Sequence, residues 1–282
     1  MASSPSSKTR NAIQKLIYNV HYTNPDVEIT RIDTIPSSPH KAYILTTAQG
    51  WFMLKTLPPS GTRVMRHERK CPAVEAKILQ IVGRADVPIP TLVSESSNND
   101  NHLNAPYLLR SYIAGEPLSA VAHRFTSYDL NQIDQSIGRY MRRVTINTQP
   151  QFGLFWKVQA GEGYSDWRTA FHSLLEAALR DAEDAVLTIP YESIRYWVYI
   201  HLPKLDVVRV AHMVPLRTGS PETVIVNESK TVVGMVGWAE VVWGDPALGE
   251  VFGNASQAFW HGYGGQQILL HGDGYDEVRH NM

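Results

Sequence analysis

Between Val27 and Leu57 apolar and polar residues alternate in three short segments, VEITRID, KAYILTT and WFMLKTL, separated by Pro36-Ser37-Ser38-Pro39 and by Gln49-Gly50. Alternation with a period of two puts every second side chain on one face of a strand, and the Pro and Gly breaks supply turns. The pattern predicts a three-stranded antiparallel meander. The period then changes: Pro72 suits the first turn of a helix, and Val74, Ile78, Ile81 and Val82 behind it share one stripe. Two further strands are expected around Thr91 to Ser94 and Tyr107 to Tyr112, on either side of the polar SESSNNDNHLN. Past Gly115-Glu116-Pro117 the spacing is helical. Asp129 to Thr145 carries Leu130, Ile133, Ile137, Tyr140, Met141 and Val144 on one face, Asp166 to Val186 carries Trp167, Phe171, Leu174, Leu175, Ala178 and Leu179, and Tyr191 to His201 stops near Pro203. Thr223 to Val226 and Thr231 to Val236 read as an apolar hairpin about Asn227-Glu228-Ser229-Lys230. The chain therefore divides into an N-terminal segment (1–26), a β-rich lobe (27–114) and a helical lobe (115–282), with the junction near Ile113 to Leu118.

Composition narrows the partners. With 282 residues, 43% of them apolar, the chain can bury a sizeable core. Its 26 basic and 27 acidic residues leave a formal net charge of -1, without the basic surplus that holds phosphate backbones or anionic lipid. No nucleic-acid or membrane partner is expected. The apolar stretch Leu16, Ile17, Tyr18 and Val20 is too short and broken for a signal-peptide core. The run from Thr231 to Trp243 contains Glu240 and falls short of the roughly 18 to 20 residues a membrane helix needs. Cys71 is the single cysteine, which rules out an internal disulfide and a cysteine-rich zinc cluster and fits a soluble, cytoplasmic protein. His-Glu-x-x-His and Gly-x-Ser-x-Gly are absent, so no metal centre, cofactor or hydrolase machinery is expected.

A small β-lobe, the hinge Tyr112-Ile113-Ala114-Gly115-Glu116-Pro117-Leu118, a helical lobe with a hairpin, and then Trp243-Gly244-Asp245-Pro246-Ala247 occur in an order and spacing that resemble the aminoglycoside phosphotransferase and choline-kinase-like family, in its divergent fungal form. The resemblance covers about residues 28 to 260. It implies an α+β, bilobal, protein-kinase-like fold with a small antiparallel β-lobe and a larger helical lobe. It also implies that Lys55 holds nucleotide phosphates while Glu75 orients it. The family's catalytic loop runs His-Gly-Asp-Leu-x-x-x-Asn. If His212 keeps the histidine position, the base aspartate is Val214; if Leu216 keeps the leucine position, it is Pro215. Thr223 stands for the metal-binding asparagine, with the loop several residues longer than the pattern. The second metal ligand, the aspartate of Ile-Asp-Trp, is Gly237. The phosphate turn, IPSSPHKAY, has no glycine and leaves only Ser37 and Ser38 as donors. His271-Gly272-Asp273 matches the loop in letters but follows the hairpin, and reads as a decoy. Asp245 has the position of a structural carboxylate that caps a helix and braces the loop.

Losing both metal ligands removes the largest electrostatic contribution to phosphoryl transfer, so efficient kinase chemistry is not expected. The first functional reading is a cleft repurposed for an apolar small-molecule metabolite. Tyr112, Trp238 and Trp243 would contact the ligand beside Glu75 and Thr223, and Lys55, His212 and Glu240 would supply hydrogen bonds or protons to a cofactor-independent cyclisation, cycloaddition or isomerisation in secondary metabolism. The second is a pseudokinase-type scaffold, and the third a residual phosphotransferase using Glu240 or Asp273. The family continues with further helices where this chain stops at Met282, which would leave the acceptor side open, remodelled by the tail, or closed by a second subunit in a homodimer.

Overall fold

The computed structural model describes residues 5–20, 28–35, 40–58 and 61–266. The chain begins with helix α1 (Ser7–Val20), in a region the hydropathy pattern leaves as an undifferentiated segment. Ile13, Leu16 and Ile17 have the spacing of one helical face and all three are buried. The meander follows as β1 (Ile29–Ile35), β2 (Lys41–Thr47) and β3 (Gly50–Thr56), within a residue or two of the expected strands. Helix α2 (Cys71–Val82), with Pro72 in its first turn, leads to β4 (Leu92–Ser96) and β5 (Tyr107–Ser111). All five strands form one antiparallel sheet in the order β1-β2-β3-β5-β4.

Successive side chains of β3 point to opposite sides of this sheet. Leu54 joins Leu45, Leu109, Ile29 and Ile32 beneath α1, whereas Lys55 reaches Glu75 on α2. Helices thus cover both faces, which is why the centre of β5 is a continuous buried run without alternation.

The second lobe starts with β6 (Glu116–Pro117), α3 (Leu118–Val121) and α4 (Ser127–Thr145). It continues through β7 (Thr148–Gln149), β8 (Gly153–Leu154), α5 (Phe155–Gln159), α6 (Trp167–Asp184) and α7 (Tyr191–His201). Then come β9 (Ala211–Pro215), β10 (Val224–Val226), β11 (Val232–Met235), β12 (Val241–Gly244), α8 (Glu250–Gly253) and α9 (Gln257–Tyr263). Strands β6, β10 and β11 make one small sheet and β7, β9, β12 and β8 another. The hinge is therefore sewn to the hairpin, with Ile225 opposite Pro117 and Val226 opposite Glu116.

Helix α4 begins with a reciprocal cap in which Thr126 Oγ1 accepts from Asp129 N and Thr126 N donates to Asp129 Oδ2. It packs against α9 at a glycine on each helix. A Cβ on Gly138 would lie 2.1 Å from the Phe259 carbonyl oxygen, and one on Gly262 would lie 2.0 Å from that of Gln135. Only glycine permits this approach. A single core runs from Val74, Ile78 and Leu79 of α2 into Ile137, Met141, Met213, Trp238 and Trp243, joining α2 to the helical lobe.

Candidate functional site

Three charged groups meet behind the β-sheet. Lys55 Nζ lies 3.3 Å from Glu75 Oε2, and Arg110 Nε lies 3.3 Å from Glu75 Oε1. Burial works against ionisation of Glu75, but the two cations and the Lys55 hydrogen bond outweigh it and hold the carboxyl below its usual range. The same burial depresses the Arg110 pKa, with Glu75 acting against the shift. His40 is buried next to this cluster. Burial first, and then the Lys55 charge, push its pKa down to about 4. The Lys55–Glu75 contact follows from β3 and α2 as the sequence places them. The second cation is new, because Arg110 reaches Glu75 only through the pairing of β5 with β3.

The loop before the hairpin corrects the reading of the catalytic positions. Val214 and Pro215 belong to no loop: they lie in β9, buried and paired with Val242 and Val241 of β12. Thr223, immediately before β10, fixes the register from the other end. If Thr223 holds the asparagine position of the resembling motif, the motif's aspartate position, five residues earlier, falls on Thr218 with no extra residues. The structure brings Thr218, Thr223 and Gly237 together. Thr218 Oγ1 donates to the Gly237 carbonyl at 3.0 Å, and a Cβ on Gly237 would lie 3.1 Å from Thr223 Cγ2 and 3.7 Å from Thr218 Oγ1. The Thr223 hydroxyl accepts from Gly219 N at 3.0 Å and is within 3.1 Å of the Arg217 carbonyl, so it serves the turn. Two loop-bound hydroxyls and a glycine without a side chain do not fit the magnesium ion that the resemblance implies, which needs carboxylate and amide oxygens.

Adjacent to this loop is a cavity of about 670 Å³. Leu174, Phe171, Leu175 and Ala178 of α6 form one wall, and Leu216, Val242 and Leu248 face them. Its polar groups are His67, Asp181, Glu240, Asp245 and Glu250. His67 sits in a turn of 3-10 helix, Arg66–Lys70, that descends from the β-lobe and is fastened to α6. Arg66 pairs with Asp181 through its guanidinium and through its backbone N–H at 2.9 Å, and with Asp184 at 3.0 Å. Both lobes thus contribute to the pocket. Periodicity identified the apolar face of α6, and part of that face, Phe171, Leu174, Leu175 and Ala178, lines open space.

The remaining candidates separate into pocket and framework. Glu240 lines the cavity. His212 does not: it lies on β9 opposite Gly244 and Thr148, and its Nδ1 is 2.7 Å from the Thr145 carbonyl at the end of α4. Trp238 is fully buried and donates from Nε1 to the Met235 carbonyl at 2.7 Å, closing the turn after β11. Trp243 is buried on β12 and stacked on Phe155, with ring centroids 5.9 Å apart. Neither tryptophan lines the cavity, and packing and strand pairing occupy their faces. Tyr112 packs on Trp51, 5.7 Å between centroids, at the hinge and away from the pocket. Asp245 accepts from Ala247 N at 3.1 Å and so caps the turn Pro246–Leu248, while also facing the cavity. Ser37, Ser38 and His271-Gly272-Asp273 lie outside the described residues.

No family model matches the sequence, and no curated protein matches it. Solved structures do match. A putative fructosamine-3-kinase from Haemophilus somnus aligns with 95% of this chain and 85% of its own at a TM-score of 0.62 and 14% identity. The aminoglycoside phosphotransferase APH(2'')-Ib, in its ADP-bound form, aligns over 93% and 84% at a TM-score of 0.59 and 13% identity. A putative aminoglycoside phosphotransferase from Ralstonia eutropha aligns over 96% and 80% at 0.54 and 12%. At such identities the likeness is one of fold. The chain has the bilobal, α+β, kinase-like fold of the aminoglycoside phosphotransferases, as the motif order implies.

Proposed function

We propose that this phosphotransferase-fold protein binds an apolar small molecule in the cavity between α6 and the Leu216, Val242 and Leu248 wall, and promotes its rearrangement or ring closure without phosphoryl transfer. The observation that carries this reading is the contrast between two neighbouring places. At Thr218, Thr223 and Gly237 the groups that would bind magnesium and accept a proton are missing. A little along the chain from them, Leu216 and Glu240 line a roomy cavity with an aliphatic and aromatic wall and polar side chains concentrated in a few positions. Such a pocket suits an organic ligand held by burial of apolar surface and oriented by a few polar contacts. Confining a reactive conformer there lowers the barrier of a cyclisation, cycloaddition or isomerisation with no cosubstrate. No helix among the described residues is long and apolar enough to cross a membrane.

Retention of the Lys55–Glu75 pair, apart from the cavity, favours a second reading: a nucleotide-binding scaffold without turnover. One experiment separates the two. The full chain is screened by thermal shift against apolar metabolites and, separately, against ATP with and without magnesium. A stabilising apolar ligand whose effect disappears in Leu174→Arg and survives in Lys55→Ala supports the pocket reading, and nucleotide-free conversion of that ligand completes it. Stabilisation by ATP alone, lost in Lys55→Ala, supports the scaffold. Magnesium-dependent transfer of the γ-phosphate overturns both.

A further inference from the structure

The side chains of His67, Glu68 and Glu240 come together where the 3-10 turn of the first lobe meets the connection between β11 and β12, and their donor atoms all lie within 4.8 Å of one another. We infer that these three residues form a binding site for a divalent transition ion of the zinc type at the edge of the cavity. The site is separate from the magnesium positions of the kinase fold, which Thr218, Thr223 and Gly237 have vacated, and it stands whether or not the proposed ring chemistry does.

The geometry between the two lobes is specific. His67 Nε2 is 3.9 Å from Glu240 Oε2. That is too long for a hydrogen bond, so the two groups sit close together without bonding each other directly. Two ligands of a tetrahedral ion at about 2.0–2.2 Å are about 3.4 Å apart, within a small side-chain adjustment of the observed spacing. Glu68 is already oriented, since its Oε2 accepts from Met65 N at 3.0 Å and leaves Oε1 to turn inward. Such a fixed carboxylate is how ligands are held by their surroundings in metal sites. All three residues are half-buried, so their charges are partly removed from water without being sealed off. With His67 neutral the group carries two negative charges, which a divalent ion balances. An imidazole nitrogen among carboxylate oxygens selects zinc-like ions over magnesium or calcium, which prefer oxygen alone. Because His67 and Glu240 also line the cavity, the ion keeps open positions facing it for water or a ligand oxygen.

The test uses the purified full chain, stripped of metal and titrated with Zn²⁺ alone by calorimetry in a buffer that does not chelate. One site per chain is expected, together with a rise in the thermal midpoint, because the ion ties the two lobes together. His67→Ala and Glu240→Gln should each weaken binding by roughly 10–100-fold, while His261→Ala, on the exposed end of α9, leaves it unchanged. Substituted Co²⁺ should give visible absorption bands that His67→Ala alters. Absence of a Zn²⁺ site in the wild-type chain overturns the inference. So does binding that persists at full strength in both site variants, or that falls equally in His261→Ala, since either result assigns the metal to scattered surface histidines. Circular dichroism of Glu240→Gln, the conservative variant, shows that the fold is intact, so its loss of affinity reads on the site.

Discussion

Glu75 is shared between two cations, Lys55 Nζ on one oxygen and Arg110 Nε on the other, each at 3.3 Å. In the kinase arrangement the lysine is held by one carboxylate and aimed at phosphates. Here the same carboxylate also neutralises a buried arginine of the neighbouring strand β5. Its loss would leave Arg110, which is almost entirely buried, without a counter-charge. Glu75→Gln is expected to destabilise the chain by about 3–5 kcal/mol, the range for breaking a buried ion pair from one side. Lys55→Ala should cost less, because Arg110 still balances Glu75. Urea unfolding of the two variants checks the order, and equal costs would contradict it.

Acid sensitivity should begin at His40. Its folded pKa of about 4 lies below the ordinary 6.5, so between these values the unfolded chain binds the proton more readily than the folded one. Stability from this group is present above pH 6.5 and is lost as the pH falls towards 4, by up to about 3 kcal/mol. Glu75, depressed in the folded state, adds its own loss only at lower pH. Unfolding measured from pH 7.5 to 4 should therefore slope in the wild type and flatten in His40→Leu.

Restoring one ligand should not restore a kinase. Gly237 has φ of +88°, in the left-handed region, and its neighbour Thr223 leaves only 3.1 Å to a new Cβ. Gly237→Asp is expected to cost about 1–2 kcal/mol. It should also show no magnesium-dependent phosphate transfer from labelled ATP, since Thr218 still offers no base. Measurable transfer in this single variant would show that the base lies elsewhere.

Trp238 closes the turn after β11 with a buried hydrogen bond to the Met235 carbonyl. Trp238→Phe keeps most of the apolar volume and leaves that carbonyl unpaired, so a loss of about 1–3 kcal/mol is expected. Binding of an apolar ligand, measured below the unfolding range, should be unaffected, because the ring does not reach the cavity. A large change in affinity with little change in stability would return Trp238 to the ligand site.

Much of the architecture was legible because it rests on local periodicity. The meander, α2, α4 and the hairpin each bury regularly spaced apolar side chains, α6 and α7 were legible from their spacing although little of α7 is buried, and Lys55 and Glu75 sit on two of these elements in positions that face each other. Helix α1 was missed although Ile13, Leu16 and Ile17 carry the right spacing, since three apolar residues in a polar segment gain burial only when the sheet is there to receive them. Strands β9 and β12 were missed for a related reason. Short, buried and continuous in character, they have no alternating pattern, and reading 210–215 as a loop moved the catalytic register from Thr218 to Val214 or Pro215.

The sequence by itself determined the residue types around the hairpin: Thr218, Thr223 and Gly237 carry no carboxylate, while Glu222 and Glu240 lie close by in the chain. Only tertiary structure decided which groups meet. Arg110 joins Glu75 through strand pairing, Trp238 and Trp243 are consumed by packing, and His67 meets Glu240 because the Arg66 turn is fastened to Asp181 and Asp184 on α6. These contacts connect residues far apart in the chain. Side-chain identity and local spacing do not encode such distances, which are set by the way helices and sheets bury their apolar faces against one another.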